Sequence, residues 1–124
     1  MENIYRKNII DHYKNPRNYG KIKNPDFSFE KENPFCGDKI RIEIKKEPKK
    51  KIIKEIRFSG KGCAISIASA SLLTEYIKGK TIKEVEKISL EKLLSGIIKV
   101  KLTPIRIKCA ELPLLVLKKA LKKD

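Results

Sequence analysis

The chain has 124 residues, 40% hydrophobic and 36% charged, enough to bury one core without disulfide staples and too few for two domains of ordinary size. Its net charge of +15 would attract phosphate, but 25 of the 30 basic residues are lysines scattered through every segment, and tryptophan is absent; with no arginine–aromatic stacking motif, this reads as a solvated lysine-rich surface and not a specific nucleic-acid site. The longest apolar run, residues 114–117, excludes a membrane span, and nothing at the start reads as a cleaved leader, so the expectation is a soluble cytoplasmic protein with reduced thiols.

In chain order, Ile4, Tyr5, Ile9, Ile10 and Tyr13 predict an amphipathic helix over 3–13, stopped by Asn15-Pro16. A loop follows over 18–25. Phe27 and Phe29 alternate with polar neighbours as an edge strand. Ile40, Ile42 and Ile44 alternate with Arg41, Glu43 and Lys45, a strand with one buried and one wet face. Pro48 makes the turn, and residues 52–58 return with Ile56 and Phe58 on one face. After Gly60-Lys61-Gly62 the period changes to a helix over 63–78, ended by Gly79 in the left-handed conformation. Thr81 and Glu84 form a capping box, and Ser89 caps a turn ending near Ser95-Gly96. Proline is tolerated best in a first helical turn, so Pro113 places the start of the last helix near residues 109–112. Leu112, Leu115 and Val116 belong to its apolar face and Lys118, Lys119, Lys122 and Lys123 to its end. Strands first and helices after make one α+β domain over 1–124.

The chemistry lies with three cysteines, Cys36, Cys63 and Cys109, each in a different element. Free cysteine often packs as a small hydrophobe. Here an odd number of thiols and a nearby carboxylate also make nearly a full ligand set for a soft or borderline metal. Cys63 opens a helix whose unpaired N–H groups favour a thiolate, and Pro113 implies the same for Cys109. Gly37 lets backbone approach whatever Cys36 holds, and Gly62 precedes Cys63 in the turn. In an extended segment Asp38 shares a face with Cys36; the competing role is a hydrogen bond to turn backbone. No C-x₂-C pair occurs, so a zinc-finger-like cage is excluded. Three thiolates and one harder oxygen make a less closed set, suited to a metal that is exchanged. Lys108 adjoins Cys109 and can favour its thiolate or steer an anion. His12 has no assignable partner and is expected to pack. The Gly60-Lys61-Gly62 stretch is too short for a phosphate loop.

The stretches HYKNPRNYG (12–20), Cys36-Gly37-Asp38, GCAISIASAS (62–71) and Lys108-Cys109-Ala110 together resemble the U-type iron–sulphur cluster scaffolds: the NifU N-terminal, IscU-like and SufU-like proteins. The resemblance covers almost the whole chain in order. It implies a three-stranded antiparallel sheet with helices packed against it in a single compact domain. It also implies a non-enzymatic scaffold for a transient [2Fe–2S] cluster, with Cys36, Cys63 and Cys109 as ligands and persulphide acceptors. Asp38 matches the family aspartate associated with cluster lability. Sulphur would come from a cysteine desulphurase, and the cluster would pass to acceptor apoproteins. IscU-like members carry histidine where this chain has Lys108, so the fourth ligand is Asp38, an external thiol or a second subunit of a homodimer. Lysine there is similar to the SufU-like branch, some of whose members hold zinc and accept sulphur; this is the alternative reading. That branch typically has an insertion between its second and third cysteines, for which this chain is too short. Residues 102–106 only loosely echo the IscU-like chaperone-binding segment, so no dedicated chaperone is expected.

Overall fold

The structure, a computed structural model, describes residues 2–34 and 37–122. Helix α1 (Glu2–Lys14) is followed by strands β1 (Phe27–Asn33), β2 (Asp38–Lys46) and β3 (Ile53–Lys61). Helices α2 (Ala64–Ile77) and α3 (Ile82–Glu86), a π-helical segment (Lys92–Ile98) and helix α4 (Pro104–Leu121) complete the chain. The strands form one antiparallel sheet in the order β1-β2-β3. It is the α+β architecture expected: a three-stranded sheet with helices against it.

Alternation sets the buried face. Ile44 pairs with Phe27 on one side and Ile56 on the other, and Ile42 pairs with Phe58. Ile40, Ile42, Ile44, Ile56 and Phe58 are all fully buried. Burying each such side chain contributes about 1.5–3 kcal/mol, so a one-residue slip, which would turn all three β2 isoleucines outward, is strongly disfavoured. Helix α4 lies against β1 and β2, α2 against β3 and α4, and α1 against α2. Leu112, Val116, Leu117 and Ala120 of α4 and Ala70, Leu73 and Ile77 of α2 complete the core. Among the described residues, no helix is long and apolar enough to cross a membrane.

Local signals placed several boundaries well. Gly79 takes φ +80, and the Thr81–Glu84 capping box forms with both reciprocal hydrogen bonds. Ser89 Oγ accepts the Lys92 N–H at 3.0 Å. Beyond it the helix does not end near Ser95-Gly96: it widens into the π-helical segment, closed by the Lys99 N–H donating to the Leu94 carbonyl. The outer sheet face also differs from expectation, because Glu43 is buried. Its carboxylate accepts the Ile22 N–H at 2.7 Å and the Arg41 Nε at 2.9 Å. Burial raises the Glu43 carboxyl, but these two donors outweigh it and hold the group below the usual range.

The largest departure is α4. It begins at Pro104, with Thr103 as N-cap, and runs straight through Pro113, so Cys109 is not at a helix start. An interior proline removes one N–H and crowds the preceding turn, ordinarily costing about 3 kcal/mol. Here α2 serves that turn. The Ser66 hydroxyl lies 3.2 Å from the carbonyl of Cys109, four residues before Pro113, and Ser69 donates to the Ala110 carbonyl at 2.6 Å.

The 12–20 stretch ties α1 to the rest. The Tyr19 hydroxyl donates to the Gly60 carbonyl at 2.9 Å, and its ring meets Phe58 edge-on at 5.2 Å. His12 does have a partner: its Nδ1 lies 2.7 Å from Ser71 Oγ, which also accepts the Arg17 N–H. Burial, then the Arg17 cation, push the His12 imidazole below its ordinary 6.5. The unfolded chain therefore takes up this proton first, so the stability held by neutral His12 is complete above pH 6.5 and is lost as pH falls below it. The lowered carboxylates act in a separate window, below their ordinary 4.5. The denaturant midpoint should therefore fall between pH 7.5 and 5, and His12→Gln should flatten that slope. An unchanged slope in the variant would refute the assignment.

Candidate metal centre

Topology brings the site together. In an antiparallel pair the residue that opens β2 lies beside the residue that follows β3. Lys39 pairs with Lys61, which sets Asp38 against Gly62 and Cys63. Helix α4, crossing β1 and β2, then delivers Cys109 to the same corner. One ligand atom each from Asp38, Cys63 and Cys109 lies within 4.8 Å of the others. Cys36 lies outside the described residues.

Asp38 is 2% exposed, and its competing role as a backbone hydrogen-bonder is real, although its partner is a distant helix and not its own turn. Oδ1 accepts the backbone N–H of Cys63, the N-cap of α2, at 2.9 Å. Oδ2 accepts the Ser66 hydroxyl at 2.5 Å and lies 3.7 Å from the Cys63 Sγ. A carboxylate at a helix N-terminus is favoured by the helix dipole and by the unpaired N–H groups there. Cys63 itself is exposed, as expected of the residue that opens a helix, whereas Cys109 is buried. Of the two described thiols, Cys63 is the one a reactant in solvent can reach.

The donor set fits a borderline metal. Two thiols and a carboxylate are ligands that Zn²⁺ and iron both accept. Ligands about 2.0–2.3 Å from a tetrahedral ion are roughly 3.3–3.8 Å apart, and the Cys63 Sγ to Asp38 Oδ2 separation of 3.7 Å falls in that range.

The supporting residues act differently from one another. Gly37 takes φ +71 and has nothing within 4 Å of where a Cβ would sit. Its glycine thus serves a left-handed backbone between β1 and β2. Gly62 is the one pressed against the site: a Cβ there would meet Ser66 Cβ at 3.0 Å and Asp38 Oδ1 at 3.2 Å. Lys108 is exposed on α4 and lines a cavity of about 210 Å³ with Asn33, Pro34 and Leu112, beside the β1 end of the site. Residues 102–106 lead into the first turn of α4, where Ile105 is 72% exposed. A larger groove of about 710 Å³, lined by Leu94, Val100, Leu102 and Ile107 among others, has no thiol or carboxylate among the described residues that line it.

Ser66 is the site residue that sequence reasoning missed. Its signal was available: it stands three residues after Cys63, on the first turn of α2, so both side chains project from the same end of the helix.

With that geometry in place, residues 4–123 match the model of the NifU-like N terminal domain. The chain belongs to this family. It is 37% identical to the zinc-dependent sulfurtransferase SufU of Bacillus subtilis across the whole chain and 93% of that protein. It is 40% identical to the iron-sulfur cluster assembly scaffold protein IscU of Buchnera aphidicola subsp. Schizaphis graminum, over 86% of this chain and 82% of that one. A solved structure from Fervidobacterium islandicum AW-1, of a protein assigned to the SUF system as an assembly scaffold, superposes with a TM-score of 0.76 at 33% identity. It covers 97% of this chain and 98% of its own. The Bacillus alignment runs over 142 positions against a chain of 124, so that relative carries residues this NifU-like domain lacks. The Fervidobacterium protein, matched over 98% of its own chain and 97% of this one, is about as long as this chain.

Gly62→Ala should press on Asp38 and Ser66 and cost about 1–2 kcal/mol of stability, as overpacking does. Denaturant unfolding checks this, and a stability equal to wild type would mean that the corner is loose.

Proposed function

We propose that this NifU-like domain is a scaffold on which a labile [2Fe–2S] cluster is assembled at Cys36, Cys63, Cys109 and Asp38. Sulphur arrives from a cysteine desulphurase and the cluster leaves for acceptor apoproteins. The observation that carries this reading is the convergence of the Asp38 carboxylate and the Cys63 and Cys109 thiols within 4.8 Å, from three elements remote in sequence. Cys36, two residues ahead of Asp38 in the chain, is the proposed third thiolate.

Each residue has a distinct task. The thiolates hold iron, for which they are the usual protein ligands. Asp38 supplies a harder and weaker donor, so the set releases its cargo more readily than four thiolates would. An exposed thiol such as Cys63 can attack the outer sulphur of a donor persulphide. The new S–S bond forms on Cys63, the donor's S–S bond breaks, and the donor leaves as its thiolate. Lys108, exposed beside Cys109, favours the approach of such anionic sulphur species.

A second reading is supported by Lys108 standing where IscU-like members have histidine, and by the end-to-end similarity to a zinc-dependent sulfurtransferase. In it the same four residues would hold zinc, Asp38 or one cysteine would give up its place on the metal, and a cysteine thiolate would accept the persulphide sulphur.

Anaerobic reconstitution with ferrous iron, a thiol reductant and a sulphide source separates the two. Cysteinyl-ligated cluster bands with iron and sulphide in equal amounts support the scaffold. Tightly kept zinc without bands supports sulphur transfer. On the scaffold reading Cys63→Ser or Cys109→Ser abolishes the bands, and Asp38→Ala gives a cluster that survives longer in air or chelator. A shorter-lived cluster in Asp38→Ala would overturn the role given to that residue.

A further inference from the structure

Ser66 is fully buried, and its single hydroxyl hydrogen has two acceptors within reach: Asp38 Oδ2 at 2.5 Å and the Cys109 carbonyl at 3.2 Å. Its oxygen is also 3.6 Å from the Cys63 Sγ, so one hydroxyl touches all three described members of the site. We infer that Ser66 is a positioning residue that controls how readily Asp38 gives up its resting hydrogen bonds to take a metal. The inference rests on the metal-centre reading above.

A hydroxyl hydrogen rotates about its C–O bond to suit its acceptor. When Asp38 Oδ2 turns its lone pair to a metal shared with Cys63 and Cys109, the Ser66 hydrogen can swing to the Cys109 carbonyl without moving a heavy atom. That carbonyl is the one whose usual helical donor, residue 113, is proline. No buried donor is stranded in either state, which a buried polar cluster requires. Asp38 Oδ1 can keep the Cys63 N–H throughout, so the carboxylate pivots instead of detaching.

The two arms are unequal. A hydrogen bond to a carboxylate is roughly twice as strong as one to a neutral carbonyl. Ser66 therefore favours the resting carboxylate and keeps metal binding weaker and more reversible than the ligands alone would make it. Removing the hydroxyl should penalise the metal-free state more than the metal-bound one.

The test is the zinc dissociation constant, from competition with a chromophoric chelator, alongside the Co²⁺ absorption spectrum of the same proteins. Ser66→Ala should bind zinc about three- to tenfold more tightly and release it correspondingly more slowly. Ser66→Thr, which keeps the hydroxyl, should stay within about twofold of wild type. Added to Asp38→Ala, Ser66→Ala should change affinity by no more than about twofold, because the group it acts through is gone. A purely structural serine would instead lower stability in both backgrounds and leave the coupling absent. If Ser66→Ala does not fold by circular dichroism, Ser66→Gly makes the same comparison. Wild type binding one zinc while Ser66→Ala binds equally or more weakly would overturn this inference and leave the metal centre standing. No zinc bound by wild type or any variant, and no cluster on reconstitution, would overturn both.

Discussion

The corner where β2, β3 and α2 meet depends on one buried carboxylate. Asp38 accepts the backbone N–H of Cys63, the N-cap of α2, and a hydroxyl one turn further on, which fixes the start of that helix against the start of β2. A buried carboxylate is tolerable only when its lone pairs are occupied, and the unpaired N–H groups of a helix start supply what it needs. The same atoms that satisfy Asp38 also set Cys63 beside it. Structural need and metal-binding capacity thus fall on one side chain, and a metal that recruits Asp38 must compete with the helix for it.

Serines of α2 carry the second constraint. Ser66, Ser69 and Ser71 are buried in a helix whose other buried residues are alanine, isoleucine, leucine and Thr74, and each of the three serines has an assigned partner outside its own helix. Ser66 and Ser69 serve carbonyls of α4 around Pro113, and Ser71 serves His12 and Arg17. Small hydroxyl side chains let α1, α2 and α4 pack closely while answering backbone groups that a wholly apolar helix would strand. The proline in α4 and the serines in α2 are best understood as one feature.

Apart from Lys108, the basic composition has little to do with this corner. Lysines occupy the wet faces and helix ends, and the ion pairs among them, such as Lys39–Glu30 and Lys78–Glu75, are exposed and contribute little each. The site instead depends on neutral and acidic groups out of water, where each hydrogen bond is stronger and each loss costs more.

What the sequence by itself determined is what a period or a cap can report. Alternating isoleucines set β2 and its buried face, Gly79 and the Thr81–Glu84 box set helix ends, and the glycines before Cys63 marked it as a helix-opening thiol. These signals are complete within a few residues, because burial and capping act over one turn or one pleat. The tertiary structure alone decided that Glu43 is buried, that α4 runs through Pro113 with Cys109 in its interior, and that Ser66 joins Asp38, Cys63 and Cys109. Each of these depends on a partner brought from elsewhere in the chain: Ile22 beneath the sheet, or α2 lying across α4. A proline read alone argues for a helix start; with a serine of another helix supplied to the turn before it, the helix continues.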